Sequence, residues 1–108
     1  MENKKYRVDV TDECYDSLKI HLQFIASVSI EAAKVFREAF FELLEKLEDF
    51  PEANIAVSLK SRPDIIYRRA VLGKYHAVLY EVHGQAVSVD MVLDLRHSQE
   101  YTYDPARL

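Results

Sequence analysis

Residues 6 to 10, YRVDV, alternate apolar and charged side chains, the two-residue period of a strand with one buried face. Thr11 then offers a hydroxyl to a free helical amide, and Asp12 and Glu13 favour the positive end of a helix dipole. Tyr15, Leu18, Leu22 and Ile25 recur on one helical face, which predicts a helix to about Ala26. Ser29 is the next cap, opening a longer helix whose buried side carries Ala33, Phe36, Phe40, Leu43, Leu44 and Leu47 until Pro51 stops it. The link between the two, SVS, is short enough to force an antiparallel helical hairpin.

From residue 65 the period changes. IIYRRAV, YHAVLYEV and AVSVDMVLDL are rich in β-branched and aromatic residues, and the chain's two glycines, Gly73 and Gly84, fall between them where tight turns require positive φ. Three such strands predict an antiparallel meander. In the last, Val87, Val89, Met91 and Leu93 are expected on the core face, with Ser88 and Asp90 on the other. Residues 52 to 64 show no period and contain Pro63, so they are expected to form a connector and the most mobile part of the chain. The fold class is therefore α+β in the order β-α-α-β-β-β, a single domain over residues 1 to 108 with the hairpin covering the sheet.

Composition narrows this picture. Apolar residues make up 49% and charged residues 30%, as in a folded soluble domain, and no apolar run approaches the ~20 residues of a membrane span. No signal peptide is visible at the amino terminus, and Cys14 is the only cysteine, so a cytoplasmic, reduced setting is expected, with no internal disulfide. Cys14 lacks an evident base, though a first-turn position can lower a thiol's pKa. The net charge of −4 is uneven: residues 1 to 54 hold 7 basic and 12 acidic side chains, residues 55 to 108 hold 7 and 6. Lys60, Arg62, Arg68, Arg69 and Lys74 face only Asp64 within their stretch, which suggests either a solvated strand and loop or a surface for an acidic partner. The overall acidity argues against binding naked nucleic acid by counterion release alone.

The element order, together with EDFPE (48 to 52), YRRAV (67 to 71), GKYHAVLYEV (73 to 82), the HG turn and VLDLRHS (92 to 98), resembles the RelE/ParE superfamily of bacterial type II toxins. The resemblance spans Tyr6 to about Tyr101. RelE-like members cut messenger RNA on the ribosome with basic side chains and a proton-transfer group. Under that reading Arg96 and Tyr101 are the catalytic candidates, helped by Lys74 or Arg69, while Ala77 stands where a second catalytic arginine is common. That gap and the low basicity make the chain more similar to ParE-like members, which bind and poison DNA gyrase. The resemblance then implies a cognate antitoxin with an acidic tail, held by Lys60, Arg62, Arg68, Arg69 and Lys74 beside an apolar groove between sheet and helices. It implies no cofactor and no metal, and leaves self-association open. A family member that has lost toxicity and persists as a binding module is a third reading.

Ordinary roles compete with each candidate. His76 shares a strand face with Val78, Tyr80 and Val82 and fits a core or interface histidine, while His21, His83 and His97 lack neighbouring ligands for a metal. Tyr101 and Tyr103 suit a C-terminal tail packed across the sheet.

Overall fold

The computed structural model describes residues 5 to 96 and the backbone of 101 to 103. The first strand, β1 (Arg7–Val10), alternates exposed and half-buried positions as its sequence requires. Thr11 caps α1 (Asp12–Val28): its Oγ1 accepts the Cys14 amide at 3.0 Å and lies 3.2 Å from the Val89 carbonyl, to which its hydroxyl donates. That cap ties the helix start to the sheet. The helix runs two residues beyond Ala26, and the link to α2 (Ile30–Asp49) shrinks to Ser29 alone. Ser29 serves both helices, its amide donating to the Ile25 carbonyl at 2.8 Å and its Oγ accepting the Ala32 amide at 3.1 Å. Pro51 begins a single 3-10 turn, Pro51–Ala53, where a missing N–H costs nothing.

The sheet has six strands in the order β1-β5-β4-β3-β2-β6. They are β1, β2 (Ala56–Leu59), β3 (Arg62–Leu72), β4 (His76–His83), β5 (Ala86–Asp94) and β6 (Tyr101–Tyr103). β1 pairs parallel with β5, and the remaining neighbours are antiparallel. The expected strand, helical hairpin and meander are all present. Residues 52 to 64 are not the expected loose connector, because they contain β2 and the start of β3. Ala56, Val57 and Leu59 are all buried, so no alternation marks β2 in the sequence. Pro63 is tolerated because Val57 pairs with Tyr67 and Leu59 with Arg62, which leaves residues 63 to 66 without partners in β2.

A second correction concerns β5. Tyr80 pairs with Val89 but Leu79 pairs with Met91, so Asp90 is an extra residue, a β-bulge. The bulge exchanges the faces of the strand. Val87, Val89 and Val92 join the core beneath the helices, with Cys14, Leu18, Phe36, Phe40, Leu47, Ala70, Leu72, Val78 and Tyr80. Met91 and Leu93 pack instead on the opposite face with Val57, Leu59, Tyr67 and Leu79. Each large side chain buried in these layers contributes about 1.5–3 kcal/mol relative to exposure.

Two side chains pin the segment after α2. Tyr80 donates its hydroxyl to the Pro51 carbonyl and accepts from Asn54 Nδ2 at 2.9 Å, while Arg68 donates to the Asn54 and Glu52 carbonyls. Cys14 is fully buried, and burial first, then the Asp90 charge, pushes its thiol up to about 12. Its first-turn position therefore does not activate it. Among the described residues no helix is long and apolar enough to cross a membrane.

Candidate functional site

The end of β5 brings together two of the residues the sequence singled out, Arg96 and His76. Asp94 is the last residue of β5, opposite His76 at the start of β4, and the chain then turns through Leu95 to Arg96. Arg96 grips Asp94 with two side-chain bonds, Nη2 to Oδ2 at 2.8 Å and Nε to Oδ1 at 3.1 Å, and its backbone amide adds a third at 2.9 Å. Its guanidinium also lies 4.4 Å from the Tyr75 ring centre. Arg96 thus holds the Asp94 carboxyl well below the usual carboxylate range, and Asp94 in turn raises the arginine.

His76 is only 8% exposed and sits edge-on to His21, at 5.1 Å between ring centres, and to Phe36, at 4.7 Å. Burial lowers its pKa first and the His21 ring lowers it further; Asp94 opposes them. At 4.0 Å from Nε2, Asp94 is too far for a firm ion pair, and its charge is already committed to Arg96. A neutral ring follows. The core or interface role expected of His76 matches this packing. Ala77, which stands where a second catalytic arginine is common, does not lie across from Arg96: it pairs with Leu93, is fully buried, and points to the face opposite His76. Arg96 meets Tyr75 instead.

Tyr101 lies elsewhere. Its backbone pairs with Leu59, so β6 extends the sheet at the β2 edge, four strands from β5 in sheet order. The placement of the Tyr101 and Tyr103 side chains and of His97 falls outside the described residues. The five cations of residues 60 to 74 are spread along β3. Lys60 and Arg62 stand at one end and Lys74 just beyond the other, separated by an 11-residue strand, roughly 30 Å or more. Arg68 and Arg69 point to opposite faces in between; both are half-buried, and Arg68 is occupied by the Asn54 and Glu52 carbonyls.

A carboxylate pair went unrecognised in the sequence. Asp90 lies beside Glu81 on the face away from the helices, where Ser88 Oγ donates to Asp90 Oδ1 at 2.7 Å and His83 Nε2 lies 2.9 Å from Glu81 Oε1. Asp90 Oδ2 is buried with no hydrogen-bond donor in reach. Burial and the neighbouring Glu81 push Asp90 up to about 7, while Glu81 stays low. One proton shared on Asp90 satisfies the orphaned oxygen and relieves the like-charge contact. Tyr67 and Arg62 border the same face, burial raising the tyrosine and the arginine opposing it. The alternation of residues 86 to 94 puts Asp90 on the same face as Ser88, but only the pairing of β4 with β5 sets it beside Glu81.

The helical hairpin carries the most open apolar surface. Ile20, Phe24 and Val28 form a stripe on one flank of α1, 66%, 67% and 82% exposed, and the first two border a hollow with His21 and Asp94. On the other flank a groove of about 510 Å³ runs between α1 and α2, floored by Tyr15, Leu18, Leu22, Ile30 and Phe41, with Lys19, Lys34 and Arg37 on its rim. The groove lies between the helices, whereas one between sheet and helices was expected. Among the described residues no group of three or more His, Cys, Asp or Glu side chains is placed to hold a metal ion. No protein-family model matches the chain, and no curated protein matches it.

Proposed function

We propose that this chain is a ParE-like toxin of a type II toxin–antitoxin system, acting by binding a large protein target such as DNA gyrase and neutralised by a cognate antitoxin. The sequence resemblance supplies the family. The observation that carries the choice of binding over cleavage is the state of Arg96: its charge is neutralised by two bonds to Asp94 and its face is covered by Tyr75. Stabilising a pentavalent phosphate requires uncommitted positive charge aimed at the equatorial oxygens. Ala77, buried and apolar, supplies none.

A binding toxin needs a presented surface instead, and the Ile20, Phe24 and Val28 stripe offers three large apolar side chains on one helix face. Expression of the chain alone should arrest bacterial growth, and purified protein should inhibit gyrase supercoiling. Phe24→Glu should relieve both, while Arg96→Ala should leave both unchanged. Codon-positioned cleavage of translating messages, abolished by Arg96→Ala or Tyr101→Phe, would replace this reading with the ribosome-dependent endoribonuclease. Normal growth with abundant soluble protein would favour a non-toxic binding module.

A further inference from the structure

The groove between the two helices is a surface the target-binding stripe does not use, since it occupies the opposite flank of α1. Its rim is wholly basic, Lys19, Lys34 and Arg37, in a chain of net charge −4. Where the groove ends at Arg37 and Phe41, the same helix continues into an acidic hollow bordered by Glu38, Glu42 and Glu45. None of these six charged side chains forms a salt bridge within the described chain. An apolar floor with a positive end and an adjoining negative end complements itself under a twofold rotation.

We propose that the α1–α2 groove is a homodimer interface, filled by α2 of a second copy of this chain running antiparallel. Lys34 and Glu45 lie eleven residues apart, three turns of helix, and so stand almost on one line of α2. An antiparallel pairing centred between positions 39 and 40 sets Lys34 against Glu45 of the other copy, and by symmetry forms that pair twice. Phe41 falls near the centre, where its 36% exposed ring and the half-exposed Tyr15 lose contact with water. The rim charges select the register and the apolar floor supplies the affinity.

Sedimentation equilibrium of the purified full chain tests this, with circular dichroism confirming that each variant is folded. The wild type should dimerise reversibly, more weakly as salt is raised. Lys34→Glu and Glu45→Lys should each weaken the dimer about tenfold, because each replaces two opposite-charge contacts by two like-charge ones. An equimolar mixture of the two variants should recover the affinity as a heterodimer, since both contacts then join opposite charges. A merely structural effect of either substitution would not be rescued by mixing. A wild type that stays monomeric at the highest accessible concentration overturns the proposal, as does a dimer indifferent to both reversals. So does a monomer whose groove takes up an acidic helical peptide, an outcome that would assign the groove to another protein.

Discussion

His76 and Asp90 owe their state to neighbours distant in sequence, whereas Arg96 is held chiefly by Asp94, two residues before it. His76 is buried against His21 and Phe36, so its folded pKa lies below the ordinary 6.5. Its contribution to stability is complete above 6.5 and is lost as the pH falls below it. Ring-proton NMR should show His76 titrating below 6.5; a midpoint above that value would mean that Asp94 outweighs burial. Asp90 has the opposite sign. With its folded pKa pushed from 3.8 to about 7, its contribution is complete below 3.8 and gone once the pH passes about 7. Asp90→Asn, which mimics the protonated acid, should therefore raise Tm by several degrees at pH 8, with the gain shrinking as the pH falls towards 4. Equal gains at pH 8 and pH 4 would remove the shared proton from the account. The candidate arginine was legible in VLDLRHS, and the turn after β5 folds it back on Asp94 two residues earlier; only its contact with Tyr75 needs the β3–β4 turn to lie beside the end of β5.

Elements with a complete local signal formed where the sequence placed them. Thr11 and Ser29 are good caps because a short hydroxyl reaches the third amide beyond it, a matter of covalent geometry that needs no tertiary partner. Ser29→Ala removes the α2 cap at the one-residue junction and should cost about 1 kcal/mol, a fall of roughly 4–8 °C in Tm for a domain of this size. An unchanged thermal midpoint would mean that packing of Phe36 and Phe40 holds the helix start without it. β2 was missed for the converse reason. Its side chains are buried on both faces, so the two-residue period disappears, and Pro63 is a breaker only where a ladder partner exists. The bulge at Asp90 is also invisible locally, since a regular pairing of residues 86 to 94 satisfies the same alternation.

For the molecule as a whole, the α+β order places the two apolar layers on either side of one sheet and leaves large apolar side chains on the outer surfaces of the hairpin exposed. On the proposed reading, co-expression of a cognate antitoxin should abolish growth arrest, and charge reversal at Lys60 or Arg62 should weaken its complex independently of reversal at Lys74. Their separation along β3 is the reason: a tail held at one end of the strand need not reach the other. Loss of binding on reversal at every one of these sites would require a tail spanning the full strand. By itself the sequence determined the helical hairpin, the meander, the first strand and the candidate residues, because caps, glycine turns and periodic burial are written in near neighbours. Tertiary structure alone decided which face Met91 and Leu93 serve and where β2 runs. Those outcomes depend on register between strands, and a shift of a single residue exchanges both faces of a strand without changing a letter of the chain.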